Sequence, residues 1–272
     1  MDDRASSRDR GSVMGRGLSP VWHPRFRARV VAACIAVCIG AAPAFALAAC
    51  DAAPMEGRAL HPLDKSDVGE PFDANFLLAD ADFEDAAFLP GDSVQAFFEK
   101  PPYGAPSFLA SYVEKGRRAA DLVADASLRH RVSGLWLLAR LQRDGALIAA
   151  RRYPSEAKDT EFVFSYGCSG RLLCDAHFGG LSVQLDALAG DMRRSFADVR
   201  GAGVSVNGFA VGERTATLDN VFVTSANLAT AALYALEPVV HGNNGGQEQT
   251  WRIYRLYAAH TGYSPMGREP AP

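Results

Sequence analysis

Apolar and polar positions along the chain fall into blocks of helical period, interrupted once by strand-like alternation. "GDSVQAFFEK" at 91–100 predicts a short amphipathic helix capped by Asp92 or Ser93, and "PPYGAP" breaks it. Residues 116–131 place Ala119, Leu122, Val123, Ala126 and Leu128 on or near one face of a second helix. Ser133 is a cap for a third, over 133–149, which ends before "RRYPS". Further helices are expected over about 155–165 and 176–197, with the loop "YGCSGRLLCD" between them. At 203–224, "GVSVNGFAVGERTATLDNVFVT" alternates and is rich in β-branched residues, so a hairpin turning at Asn207-Gly208 is predicted. "SANLATAALYALEP" returns to helix, with Ser225 as cap and Pro238 as stop, and a last helix covers 249–262. The predicted fold is mainly α, one helical domain over 78–263 with a small β-hairpin insertion and a disordered tail at 264–272.

The two ends of the pattern differ in kind. Residues 30–49, "VVAACIAVCIGAAPAFALAA", hold no charge, and residues 1–29 hold seven Arg against three Asp. A basic segment followed by an apolar run and small residues has the form of a secretory signal. "LAAC" at 47–50 resembles a bacterial lipobox, which implies cleavage before Cys50 and lipid attachment to it. Met14 is an alternative start. A single membrane-spanning helix is the other reading of a 20-residue apolar run, against which stand its alanine content and Pro43. Residues 50–77 read as a flexible, acidic, Pro-rich tether, since 51–92 contain eleven acids and two bases. "DADFED" at 80–85 lacks the Gly and terminal Glu of an EF-hand loop.

Charge and cysteine usage narrow the function classes. The formal charge of −3 leaves the part beyond residue 49 at about −7. No basic patch with interleaved aromatics is present, so nucleic acid is not an expected partner. Cys34 and Cys38 lie in the signal-like segment and Cys50 at its end. Cys168 and Cys174 remain, and in an oxidising compartment they are expected to close a small disulfide loop. With His177 alone nearby, they do not form a metal site.

One carboxylate stands out. At 100° per residue, Asp144 falls in the same narrow stripe as Leu137, Leu141 and Ile148, facing the core. Burial disfavours a charged carboxyl, and a raised pKa suits a general acid. Gly145 and Ala146 leave space for a ligand beside it. The competing reading is structural: Arg140 or Arg143 reaches round and pairs with it, and the unfavourable helix C-terminal dipole acts on it without any catalysis.

Three stretches in order resemble the bacterial lysozyme-like, soluble-lytic-transglycosylase-like domains of exported proteins. They are "LLARLQRDGALI" at 137–148, "SYGCSGRLLCDAHFGGLSVQL" at 165–185 and "NLATAALYALEP" at 227–238. The corresponding family patterns are L-L-x-x-L-Q-x-E-x-x-L-I, then G-Y-G-C-P-D…C-D…Y-x-G-F…Q, then N-x-A-T-A-A-L-Y-x-Y-T-P. The lead-in "ADFEDAAFLPGDSVQAFFEK", "SFLASYVEKGRRAADLVADAS" and the closing "WRIYRLY" are similar as well, so the resemblance covers 78–262.

The resemblance implies an α+β lysozyme-like fold and a peptidoglycan or related amino-sugar ligand. It implies a general acid at Asp144, and a cleft to which Tyr166, Gln184, Asn227 and Tyr234 contribute. Glu161 and Asp175 are additional carboxylates that no spacing selects. No metal or organic cofactor is implied. The chain departs from the pattern at informative places. Asp replaces the family's Glu at 144, which withdraws the carboxyl by about 1.5 Å, and a displacement near 1 Å can cost about 10²-fold. Ser169-Gly170 replaces Pro-Asp, and Leu236-Glu237 replaces Tyr-Thr. Two functions follow: an exported, membrane-anchored lipoprotein whose domain cleaves or binds glycan strands, or a catalytically degenerate relative that binds or scaffolds at the cell wall.

Overall fold

The computed structural model describes residues 61–267 apart from 157, 170–172 and 243–244. The signal-like segment 1–49, the lipidation position Cys50, the start of the tether and the tail from 268 lie outside the described residues. Among the described residues, eight α-helices are interrupted by two minimal hairpins, so the fold is mainly α with a small β component. In chain order the helices are α1 (Asp80–Glu84), α2 (Gly91–Glu99), α3 (Ala119–His130), α4 (Gly134–Gly145), α5 (Lys158–Glu161), α6 (Leu181–Ala202), α7 (Leu228–Leu236) and α8 (Gly246–Thr261).

Helix α4 is the most completely buried of the described helices. Leu135, Trp136, Leu137, Leu138, Ala139 and Leu141 are all buried, and so are Gln142 and Arg143, so the helix is enclosed almost all round. It packs along α8 and touches α3; α3 packs on α2 and α6, and α6 on α7. Ser133 starts α4 as expected, its Oγ accepting from the Trp136 amide at 3.4 Å. The helix ends at Gly145 rather than 149. Ala146 turns left-handed (φ 51°), and the Leu147 amide donates back to the Leu141 carbonyl at 3.2 Å, closing a Schellman-type end. Leu147 and Ile148 are then buried from the turn itself.

Several expected boundaries move for identifiable reasons. Helix α2 is preceded by Pro90, not capped by Asp92 or Ser93; Asp92 sits in the first turn and meets Arg118 at 3.1 Å. Leu128, near the end of α3, is 52% exposed while its expected partners on that face are buried. The helix expected over 155–165 shrinks to α5, and the chain turns at Ser165, which adopts φ 60°. Gly179 and Gly180 divide the helix expected from 176 into a 3-10 turn, Ala176–Phe178, and α6. The start of α6 is capped from afar: the Glu114 carboxylate accepts from the amides of Leu181 (2.7 Å) and Ser182 (3.2 Å). Glu114 is held there by the hairpin β1 (Val113–Glu114) and β2 (Arg117–Arg118), which the apolar pattern did not announce.

The second hairpin pairs β3 (Arg214–Ala216) with β4 (Phe222–Thr224), so its turn lies at 217–221. Asn207-Gly208 makes a separate tight turn between Ser205 and Phe209. Asn227, not Ser225, caps α7: its side chain accepts from the Thr230 amide and donates to the Leu78 carbonyl. Helix α8 begins at Gly246, three residues earlier than expected.

Residues 61–77, placed in a solvated tether by their composition, pack against the helices. Asp64 is fully buried; its carboxylate accepts from the Tyr103 hydroxyl (2.5 Å), the Gln142 amide (2.8 Å) and the His61 amide (3.1 Å). Tyr103 continues to Tyr257 at 2.8 Å, and Phe72 packs edge-on against Trp251. The acidic run at 80–85 is likewise consumed locally. Asp80 accepts from the Ala229 amide, Asp82 from Tyr263 and Met266, and Glu84 pairs with Arg193. Among the described residues, no helix is long and apolar enough to cross a membrane.

Burial pushes the Asp64 carboxyl above its ordinary value of 3.8, an effect its three donors only partly offset. The folded state therefore holds that proton more tightly than the unfolded chain. Its stabilising contribution is present below the ordinary value and is lost as pH rises through the raised one. Asp64→Asn, neutral throughout, is expected to gain stability relative to wild type as urea melts are moved from about pH 4 to pH 8. A constant difference between the two would show that Asp64 titrates normally.

Candidate functional site

The first and third sequence motifs meet in one charged cluster. Asp144 stands in the last turn of α4 and its side chain retains 15% exposure. One turn back, the Arg140 Nε donates to Asp144 Oδ2 at 2.8 Å. From the adjacent position, the Arg143 Nε donates to Asp144 Oδ1 at 2.7 Å. Arg143, which is buried, also pairs with Glu237, the residue that follows α7. It donates further to the Gly246 carbonyl (3.1 Å) and the Thr250 hydroxyl (2.9 Å) of α8. Arg140 lies 3.9 Å from the same Glu237 carboxylate and 5.9 Å from the ring centre of Phe164. Two guanidiniums and two carboxylates thus neutralise one another between α4, α7, α8 and the loop after α5.

This arrangement fixes the state of Asp144. Burial and the helix C-terminus both raise a carboxyl's pKa, but the two guanidiniums outweigh burial and hold Asp144 below its ordinary value of 3.8. Arg143 remains charged, since burial is overcome by Asp144 and Glu237. At neutral pH the Asp144 carboxylate is ionised, and each of its oxygens already accepts from an arginine. Asp144 is half-buried at the edge of the stripe read from the sequence, and the charge pairing weighed beside the acid reading is what the structure contains.

The remaining site residues are engaged within the fold. Gln184 is fully buried; its oxygen accepts from the Phe164 and Tyr166 amides, and its nitrogen donates to the Tyr166 and Phe178 carbonyls. It pins the loop around the Cys168–Cys174 disulfide onto α6, and that disulfide is formed as expected. Gly167, at φ 79°, lies so close to Phe178 that a Cβ there would be 2.4 Å from it. The Tyr166 hydroxyl donates to Asp191 of α6 at 3.0 Å. Asn227 is the α7 cap, and the buried Tyr234 donates to the Ala74 carbonyl at 2.9 Å. Asp175 caps the 3-10 turn through the His177 amide. Tyr166 and Gln184 therefore tie the disulfide loop to α6, whereas Asn227 and Tyr234 face the 74–78 segment.

Glu237 and Thr250 complete the cluster. Glu237 is legible only as a departure from the resembled pattern, and its role depends on the chain after α7 passing beside the end of α4. Thr250 carries no local signal. Among the described residues, no group of His, Cys, Asp and Glu is arranged to hold a metal ion. Comparison of the chain with protein-family models, curated proteins and solved structures gives no match. The resemblance therefore rests on the three motifs themselves.

Replacing Asp144 by Asn removes the charge that compensates two largely buried guanidiniums. The expected loss is about 3 kcal/mol at neutral pH, measured by urea melts. Because the folded pKa is depressed, the Asp144 contribution is present above the ordinary value of 3.8. The gap between variant and wild type should close as pH falls through the depressed value. An undiminished gap at the lowest pH would contradict the pairing.

Proposed function

We propose that this chain is an exported, lipid-anchored cell-envelope protein whose lysozyme-like domain binds or scaffolds peptidoglycan without cleaving it. The observation that carries this reading is the double clamp of Asp144, at the position where the resembled enzymes place a catalytic Glu. A general acid must arrive protonated near the leaving oxygen. Here the shorter side chain meets two arginines, and the clamp is anchored through Glu237, which stands where the resembled pattern has Thr. The retained motifs, disulfide loop and Gln184 pin support a preserved framework around a position converted from acid to ion pair. Export and anchoring are supported by the basic segment, the uncharged run at 30–49 and the lipobox-like "LAAC" ending at Cys50. The ligand class is supported by the resemblance alone.

The test uses purified, insoluble peptidoglycan and the full chain. Sedimentation should carry the protein down with the wall, and mass analysis of the supernatant should find neither new reducing ends nor anhydro-sugar ends. Asp144→Glu should remain inactive, because the clamp accepts a longer carboxylate as readily. Release of muropeptides by wild type, abolished in Asp144→Asn, would establish the glycosidase reading instead. Failure to sediment would remove the wall from the proposal.

A further inference from the structure

A second surface carries chemistry that the Asp144 cluster does not use. The 3-10 turn Phe108–Ala110 and the segment after α4 enclose an open groove of about 670 Å³, lined by Phe108, Tyr112, Val113, Arg151, Arg152 and Tyr153 among others. Its floor is aromatic. The rings of Tyr112 and Tyr153 lie near-parallel (14°) with centres 6.0 Å apart. Phe108 is buried beneath and meets both edge-on, at 6.0 and 5.7 Å. Edge-to-face contacts of this kind hold rings in fixed orientation.

The backbone beneath is equally tied. The Phe108 amide donates to the Ala150 carbonyl at 2.8 Å, and the Ser107 hydroxyl to the Leu147 carbonyl at 3.0 Å. The Tyr112 hydroxyl is oriented by Glu114 at 3.3 Å. Yet Tyr153 remains 46% exposed on this rigid base. Fixed aromatic surface left open to solvent is a feature of recognition sites rather than cores.

The charge at the rim points the same way. Most arginines of the described chain pair with a carboxylate, as Arg117, Arg129, Arg193 and Arg252 do. Arg151 and Arg152 are adjacent and exposed, and no carboxylate among the described residues pairs with either. Glu114, which meets Tyr112, is committed to the α6 N-terminus. Two free guanidiniums at the edge of an aromatic platform suit a planar carboxylate, which they can hold by forked hydrogen bonds.

From this juxtaposition we infer that the groove binds a carboxylate-bearing saccharide. The C–H faces of its sugar rings pack on Tyr112 and Tyr153, and its carboxylate is taken by Arg151 and Arg152. A sugar fits better than a nucleic acid strand, because polyphosphate binding draws on many cations, and the chain as a whole is acidic. The groove is an open trough rather than an enclosed slot, and the Ser111 and Tyr112 hydroxyls, which donate to the Phe108 carbonyl and Glu114, remain able to accept there. Nothing in this inference depends on Asp144 or on whether the domain cleaves glycan.

Titration calorimetry on the full chain tests it with two probes of equal length. One is a tetrasaccharide alternating N-acetylglucosamine and glucuronic acid; the other is neutral tetra-N-acetylglucosamine. The acidic probe should bind, and the neutral one should bind about ten-fold more weakly or not at all. Arg151→Ser with Arg152→Ser should weaken the acidic probe about ten-fold, and added salt should weaken it in wild type. Tyr153→Ala should weaken it by more than its small effect on the melting temperature accounts for, since the ring is about half exposed.

Equal binding of the two probes, indifference to the double arginine variant, or tighter binding of a single-stranded oligonucleotide would overturn the inference. Acidic-probe binding that survives while the protein fails to sediment with peptidoglycan would support this site and count against the wall proposal alone.

Discussion

The buried guanidinium of Arg143 is the constraint on which the centre of this structure depends. It is placed at the end of the most buried helix in the molecule, where an unpaired cation would be very costly. The fold answers with partners from three directions: Asp144 beside it, Glu237 beyond α7, and the Gly246 carbonyl with the Thr250 hydroxyl on α8. A buried ion pair of this kind adds little net stability over a well-packed apolar alternative, but removing one partner is expensive. Its effect is to fix register. Helices α4, α7 and α8 satisfy the guanidinium only in this relative placement.

The same constraint determines what Asp144 can do. A carboxyl at a helix C-terminus in apolar surroundings is poised to hold its proton. Two arginines reverse that tendency, and both oxygens become acceptors inside the network. The departures from the resembled pattern are thus not independent. A shorter acid at 144 and a new acid at 237 form the two ends of one arrangement, with Arg143 as the link and Arg140 as the outer brace. Gln184 ties the disulfide loop to α6 through backbone bonds that make no demand on the identity of a ligand.

Much of the fold was legible along the chain because helical periodicity reports burial directly. The inward stripe of α4, the Ser133 cap, the breaks at "PPYGAP" and Pro238 and the disulfide loop all follow from local rules. Boundaries set by long-range contacts were not legible. The early start of α8, the cap of α6 by Glu114 and the hairpin that carries Glu114 depend on segments far apart in sequence. Composition misled at 61–77, since an acidic, Pro-rich segment can still bury one carboxylate when Tyr103 and Gln142 wait for it. At the site, the angular position of Asp144 could be computed from spacing, and Arg140 and Arg143 lay within reach of it. Which of acid or ion pair prevailed turned on the two arginines acting together, with Glu237 holding the second.

The protonation state of Asp144 is the point on which this account stands, and it can be read without an activity assay. Carbon-13 shifts of the Asp144 side-chain carboxyl, assigned by comparison with Asp144→Asn, report its titration directly. The account predicts a carboxylate that stays ionised from neutral pH down to below the ordinary value of 3.8. A carboxyl that takes up its proton near neutrality would contradict the clamp and restore Asp144 as an acid.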